Sequence, residues 1–162
     1  MGSNPIPSTE FMVAEKMATR VITTGIGDIA AAIAKFQSNI KNTWCACVDS
    51  SIPAFSMSDG IKQGYIAAKE RGVKIRYVTE MTNDNAEHCI ELARFVELRH
   101  LDSVTGSFAV SESEFVAGIR SKNALQKLVY SNEKELVKSQ QDVFETLWEN
   151  AVPAKDRIKQ LY

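Results

Sequence analysis

The sequence predicts one α/β domain, with a mainly parallel or mixed sheet lying between helices. Three observations favour this class. Residues 71–80 read as the last turn of a helix, a left-handed glycine at Gly72 and a buried strand with alternating side chains. Short β-prone runs alternate with helical patterns through the first half of the chain. The 162 residues, 44% of them hydrophobic, are enough for one domain with a core.

The first half of the chain predicts alternating strands and helices. The spacing of apolar residues separates the two types, because strands repeat every second residue and helices every third or fourth. Such an order argues for parallel strands joined by right-handed crossovers. The predicted elements are a strand at 19–24, a helix at 26–41, an apolar strand at 43–49, a loop at 50–53, a helix from about 56 to 71, a strand at 73–78 and a helix from 82 to about 96.

The second half of the chain predicts consecutive strands followed by two helices, instead of a strict alternation. Two alternating runs separated by a polar turn indicate a hairpin, and a further strand precedes a long amphipathic helix. The predicted elements are strands at 107–110, 114–119 and 125–130, a helix from Ser131 or Asn132 through Ala151, and a short helix at 154–161 after Pro153. We expect residues 1–11 to be an expression leader, 12–152 the domain, and 153–162 the start of a helix leading to an output domain beyond the sequence.

Composition predicts which classes of partner to exclude. The formal net charge of −1 gives no basic footprint for nucleic acid. No apolar run approaches the roughly 18 residues of a membrane span. Cys45, Cys47 and Cys89 match neither a zinc pattern nor a redox pair, so they read as reduced core thiols. We therefore expect a cytoplasmic domain without cofactor or metal that contacts neither nucleic acid nor membrane.

Polar residues at the ends of predicted strands are the candidate ligand-binding residues. Ligands of open α/β sheets usually lie at the carboxyl ends of the strands. The alternative is that Asp49 and Thr79 only cap helices and loops. Tyr130 has a second interpretation as a core residue. The strand-end candidates are Asp49, Ser50, Thr79, Glu80, Tyr130 and Ser131.

Three basic residues have alternative roles that the sequence leaves open. Arg99 and His100, where a helix gives way to a strand, either bind an anion or, as we favour, complement the helix dipole or pack in the core. Arg76 is either an exposed edge cation or half of a buried ion pair with Glu112 or Glu114.

Two groups of residues carry a resemblance to known families. The Ala-rich helix end at 67–71, followed by Gly72-Val73-Lys74-Ile75-Arg76, resembles the phospholipase D superfamily half-domain. The segments 99–102, 106–115 and 129–132 more closely resemble a phospholipase D-like sensory module of archaea, notably ammonia oxidisers and methanogens. That module precedes PAS and histidine-kinase domains and is similar to the sensing domain of sugar-responsive regulators. The resemblance implies a small α/β input domain, a homodimer and a carboxyl-terminal output domain.

The resemblance does not extend to the catalytic motif of the family's enzymes. These enzymes use His-x-Lys-x-x-x-x-Asp, with the histidine as nucleophile. From His100 the lysine position holds Asp102 and the aspartate position Ser107, and from His88 the lysine position holds Ile90. We therefore expect a non-catalytic, ligand-binding input domain of a histidine kinase or transcription regulator, for a small molecule of unknown identity. The alternatives are a phosphodiesterase with an atypical site and a protein-docking or dimerisation module.

Overall fold

The computed structural model describes residues 19–22, 25–121 and 124–162, so the predicted leader at 1–11 lies outside the described residues. Within these ranges strands and helices alternate and then give way to consecutive strands. The elements are β1 (Thr19–Ile22), α1 (Ile26–Asn39), β2 (Thr43–Val48), α2 (Ile52–Ser56), α3 (Asp59–Glu70), β3 (Lys74–Thr79), α4 (Ala86–Leu92), β4 (Glu97–His100), β5 (Ser107–Ser111), β6 (Phe115–Ser121), β7 (Ala124–Ser131), α5 (Lys134–Asn150), β8 (Val152–Pro153) and α6 (Ala154–Leu161).

The strands form one open mixed sheet in the order β1-β7-β6-β5-β2-β3-β4-β8. The fold-class prediction is therefore confirmed. The parallel part consists of β2, β3 and β4, and the other neighbours pair antiparallel. The expectation that β1 begins the parallel series is wrong, because β1 pairs antiparallel with β7 at the sheet edge. Its apolar pattern specified a strand but contained nothing that specified its partner.

The first face of the sheet packs against α1 to α4 and α6. Trp44 of β2 stacks on Tyr65 of α3, with 4.1 Å between ring centroids. The Tyr77 hydroxyl and Ser56 Oγ share a buried hydrogen bond of 2.8 Å, which ties β3 to α2. The predicted helix end at Gly72 is confirmed by its φ of 85°. The short helix α2 lies where the sequence indicated a loop up to position 53.

The second face packs against α5. Val137, Phe144 and Trp148 form the buried stripe of this helix, and they contact Cys45 and Val78 of the central strands. This buried stripe fits the long amphipathic helix that the sequence predicted here. Strands buried on both faces explain the almost continuously apolar sequence of β2.

Arg76 and Arg99 extend beneath α5. The guanidinium carbon of Arg99 lies 4.0 Å from the centroid of the Trp148 ring, and that of Arg76 lies 5.4 Å from it. Arg76 pairs with Glu145 of α5 through a 3.0 Å bond from Nη1 to Oε1. Of the two roles that the sequence left open for Arg76, the ion pair is the one that forms, but its partner is Glu145 and neither Glu112 nor Glu114. Glu145 is distant in sequence, and only the packing of α5 across the strand brings it close.

The chain crosses the sheet edge through β8 and ends on the first face. Ala154, Ile158 and Leu161 of α6 pack against the first core. Arg157 Nε donates a 3.0 Å hydrogen bond to the main-chain oxygen of Met81, beyond the end of β3. Among the described residues, no helix combines the length and apolar character that a membrane crossing requires.

Candidate functional site

A cluster of polar side chains lies at the end of the sheet where the central strand β2 finishes. Asp49 follows β2, and its Oδ1 accepts a 2.9 Å bond from the N–H of Ser51 and a 2.7 Å bond from Arg120 Nη1. Its Oδ2 accepts a 3.1 Å bond from Ser107 Oγ, at the start of β5. Because β5 runs antiparallel to β2 and β6 runs antiparallel to β5, these elements bring Ser107 and Arg120 to the same edge as Asp49.

The environment of Asp49 favours its ionised form. Partial burial acts to raise the pKa of this carboxyl group, and the hydrogen bonds from Ser51, Arg120 and Ser107 act to lower it. The hydrogen bonds win, and the pKa lies below its ordinary value. Arg120 also donates to Ser51 Oγ through Nη1. Among the described residues its other guanidinium nitrogens have no hydrogen-bond partner, so they could donate to a ligand at the polar cluster.

The loop after β3 connects this edge with the final helix. The N–H of Met81 donates a 2.9 Å bond to Nδ1 of the buried His100, and the oxygen of Met81 accepts from Arg157 of α6. Since Nδ1 accepts, Nε2 carries the ring proton and donates to Asp102 Oδ1 at 2.8 Å. Asn85 Nδ2 joins the neighbouring loops by donating to the main-chain oxygens of Ser50 and Glu80, each at 2.9 Å.

A small apolar cavity lies beside this polar cluster, between the first face of the sheet and the helices above it. Its volume is about 80 Å³, and Ser107 is the residue that it shares with the polar cluster. At Gly118 an added Cβ would lie 2.6 Å from a methyl group of Leu125, so a larger residue here would require the Leu125 side chain to move. The wall consists mainly of aromatic and aliphatic residues, including Ile33, Phe36, Trp44, Phe55, Tyr65 and Leu128.

Two buried polar atoms belong to residues of the cavity wall. Gln37 is 1% exposed and Trp44 is 2% exposed. Gln37 Nε2 donates to the oxygen of Ile61 at 3.0 Å, but Gln37 Oε1 and Trp44 Nε1 have no hydrogen-bond partner among the described residues. A buried polar group without a partner costs roughly 1–3 kcal/mol. Residues of the wall therefore carry one acceptor and one donor that have no partner among the described residues, and the Gln37 carboxamide also packs against Gly64.

The structure brings together five of the sequence-predicted site residues. Thr79 Oγ1 donates to the oxygen of Asp49 at 3.2 Å, and Ser50 and Glu80 meet through Asn85. His100 lies next to this group through its bond to Met81. Most of these contacts use main-chain atoms or buried side chains. Asp49 is the predicted residue whose side chain belongs to the polar cluster.

The other three predicted residues lie elsewhere. The expectation that Tyr130 and Ser131 converge with Asp49 is wrong, because β7 runs antiparallel to β6 and so ends at the opposite edge of the sheet. Arg99 lies beneath α5, where it donates a 2.8 Å bond to the oxygen of Trp148. This contact with the end of α5 fits the favoured packing role rather than an anion site.

Sequence reasoning missed Ser107, Arg120, Gln37 and Trp44. Their roles depend on which strands become neighbours, and the sequence does not show this. One signal was available for Gln37: it lies between Phe36 and Ile40 in a helix whose apolar residues face the core. A polar residue next to such a stripe indicates a buried group that needs a partner.

Comparisons with known proteins place the fold among phospholipase D-like structures. No family model matches the chain, and no curated protein matches it. Among solved structures, NucT from Helicobacter pylori aligns with a TM-score of 0.68 at 13% identity, over 85% of this chain and 99% of that one. Nuc from Salmonella typhimurium, a phospholipase D family member, aligns with a TM-score of 0.67 at 15% identity, over 84% and 97%.

A third similar structure corrects an expectation about partners. TrmBL2, an archaeal chromatin protein with a novel mode of DNA binding, aligns with a TM-score of 0.63 at 18% identity, over 92% of this chain. The chain spans 59% of the length of TrmBL2. The exclusion of nucleic acid was therefore wrong, because net charge does not separate this fold from that of a DNA-binding protein. The structure has a phospholipase D-like fold, an open mixed sheet flanked by helices.

Proposed function

We propose that this domain is a non-catalytic sensory domain that binds a small polar molecule in the cavity beside Ser107. The observation that supports the proposal is a pair of buried atoms, Gln37 Oε1 and Trp44 Nε1, that have no hydrogen-bond partner within the described part of the chain. A molecule with one donor and one acceptor would satisfy both. The apolar wall would enclose the rest of the molecule.

The cavity limits the size and chemistry of the molecule. A volume of about 80 Å³ admits only a few non-hydrogen atoms, since a water molecule takes about 30 Å³ in the liquid. Small amides and hydroxy acids have this size and carry both kinds of hydrogen-bonding group. In the polar cluster beside the cavity, the guanidinium nitrogens of Arg120 that have no partner among the described residues would attract a carbonyl or carboxylate oxygen.

The hydrogen bonds around the cavity offer a route to the final helix. Ser107 holds Asp49, the oxygen of Asp49 accepts from Thr79, and two residues further on Met81 binds Arg157 of α6. A ligand that moves Ser107 would change the balance between two positions of this loop and of α6. Such a shift requires different ligand affinities for the two arrangements.

The geometry of His100 supports the non-catalytic part of the proposal. The residue is 5% exposed, and both ring nitrogens are hydrogen-bonded, to Met81 and to Asp102. A histidine nucleophile needs one ring nitrogen free to attack phosphorus. The alternative of a phosphodiesterase would require turnover of a generic phosphodiester that is lost in His100→Ala.

A thermal-shift screen tests the proposal. We expect acetamide, glycolate or a related small polar molecule to raise the melting temperature with increasing concentration, because it binds only the folded state. The variant Trp44→Phe keeps the aromatic packing but removes the indole N–H. It should weaken binding about tenfold, the value of one buried hydrogen bond of roughly 1.4 kcal/mol.

Two further variants separate binding at this site from general stabilisation. Ser107→Ala should weaken binding of the same ligand. Arg94→Ala replaces an exposed arginine outside the cavity and should leave binding unchanged. A shift of equal size in Trp44→Phe and the parent protein would contradict the proposal. A flat screen would favour the alternative of protein docking.

Binding of double-stranded DNA is the second candidate function. It is favoured by the presence of this fold in an archaeal chromatin protein. An electrophoretic mobility shift at several salt concentrations distinguishes it from small-molecule binding, since phosphate contacts weaken steeply as salt rises. A shift that persists in Trp44→Phe would assign DNA binding to a surface outside the cavity.

A further inference from the structure

We propose that a cleft at the opposite edge of the sheet binds a small zwitterion. In this site Glu114 and Asn132 bind the ammonium group of the ligand, and lysines of the cleft bind its anionic group. The site is separate from the cavity beside Ser107, so the proposal does not depend on the proposed function.

The cleft lies where α1 ends, β5 turns into β6 and α5 begins. It is open to solvent and has a volume of about 1060 Å³. Ligand sites usually span roughly 300–1,000 Å³, so the cleft has room for a whole small molecule. Its polar lining includes Asn39, Lys41, Glu114, Asn132, Lys134 and Lys138.

Glu114 is a buried carboxylate with half of its hydrogen-bonding capacity unused. The residue is 8% exposed. Its Oε2 accepts from the Tyr130 hydroxyl and, at 3.4 Å, from Asn39 Nδ2. Its Oε1 is buried and has no partner among the described residues. No lysine, arginine or histidine nitrogen of those residues lies within 4.0 Å of the carboxylate, so its charge is not paired either.

A second unused acceptor lies on the same wall. Asn132 Oδ1 is buried and has no hydrogen-bond partner among the residues that the structure describes. Burial and the bond to Glu114 raise the pKa of Tyr130 to about 12, so its hydroxyl remains a donor to Oε2. Glu114 Oε1 and Asn132 Oδ1 therefore both lack a donor among residues 19–22, 25–121 and 124–162. A primary ammonium group supplies three donors and a positive charge.

The other cations of the cleft explain why the ligand also needs a negative group. The cleft is lined by Lys41, Arg71, Lys134 and Lys138. Arg71 donates to the main-chain oxygens of Gln37 and Ile40, and Lys138 pairs with Asp142 at 2.9 Å. Glu112, the other carboxylate of the lining, already accepts bonds from three backbone N–H groups. A simple amine would meet repulsion from the lysines, whereas a carboxylate or phosphate on the same molecule would bind them.

Binding of four probes tests this assignment in the full chain. The probes are β-alanine and O-phosphoethanolamine, which are zwitterions, and ethylamine and propionate, which each carry one of the two groups. Calorimetric titration should show binding of one or both zwitterions and much weaker binding of the single-charge probes. Comparison of β-alanine with O-phosphoethanolamine separates a carboxylate from a phosphate as the anionic group.

Substitutions then assign the two groups of the ligand to their partners. Glu114→Gln keeps the shape of the side chain but removes its charge, and it should weaken zwitterion binding about tenfold or more. Lys134→Gln, on the surface, should also weaken it. Glu149→Gln, an exposed change on the same helix as Lys134, is the matched control and should leave binding unchanged. Trp44→Phe should also leave it unchanged.

Two outcomes would overturn the proposal. One is the absence of zwitterion binding to the folded parent protein. The other is equal binding to the parent and to Glu114→Gln. If Glu114→Gln fails to fold, Asn132→Ala removes the second acceptor from a half-buried position, and unchanged binding in that variant would contradict the proposal as well.

Discussion

Replacing Trp148 by alanine is expected to lower the free energy of unfolding by about 3–5 kcal/mol, the usual cost of removing a buried aromatic side chain. Trp148 is 7% exposed, packs on Phe144 with 5.8 Å between ring centroids and lies against the guanidinium groups of Arg76 and Arg99. Its loss would open a cavity between α5 and the sheet and remove two cation–π contacts.

Urea unfolding of the parent and variant measures this loss. Val143→Ala, at a position 43% exposed on the same helix, is the control and should cost less than about 1 kcal/mol. If Trp148→Ala cost no more than the control, α5 could not be the layer that covers the second face of the sheet.

Replacing Glu112 by glutamine should lower the free energy of unfolding by about 2 kcal/mol, since charge-assisted hydrogen bonds are worth roughly 1.5–3 kcal/mol and this side chain is partly exposed. Its Oε2 accepts from the N–H of Lys41 at 2.9 Å, and its Oε1 accepts from Asn42 and Thr43 at 3.0 and 3.1 Å. These bonds fix the loop between α1 and β2. A glutamine would place its NH₂ group, which is itself a donor, against one or two of these backbone N–H groups and so lose their hydrogen bonds.

The same residue gives a pH dependence with a defined sign. Partial burial acts to raise the pKa of Glu112 and the three N–H bonds act to lower it, and the net pKa lies below its ordinary value. The stabilisation is therefore complete above the unfolded-state pKa of about 4.3 and is lost as pH falls through the folded-state pKa. The stability difference between parent and Glu112→Gln should shrink below about pH 4. Glu97→Gln, an exposed change on β4, should show no such convergence.

Local sequence signals predicted the fold class and most helices and strands, but they did not predict β4, β8 or the short helix α2. Gly72 marks the end of α3 because glycine accepts a positive φ without strain, and the stripe of Val137, Phe144 and Trp148 has helical spacing. Which strands pair with each other was harder to predict from the sequence. The edge position of β1 depends on its pairing with β7, more than a hundred residues later in the chain, and no local pattern encodes that pairing.

The candidate site was predicted only in part, for the same reason. Asp49 and Glu80 follow β2 and β3, and Thr79 is the last residue of β3, so the rule that ligands lie at the carboxyl ends of parallel strands brought them together. That rule fails for Tyr130, because its strand runs the other way. Whether Trp44 Nε1 finds a partner among the described residues depends on everything that packs around it, and no single sequence position reveals a missing hydrogen bond.

The side-chain indole signals in a ¹⁵N–¹H NMR spectrum test the central claim most directly. The chain has two tryptophans, so Trp44 in the cavity wall and Trp148 on the buried face of α5 each give one indole N–H signal. During titration with the molecule that stabilises the protein, we predict a shift of the Trp44 indole signal and of the Arg157 Nε–H signal, while the Trp148 signal stays in place. Saturable binding that leaves the Trp44 indole signal unchanged would contradict the account.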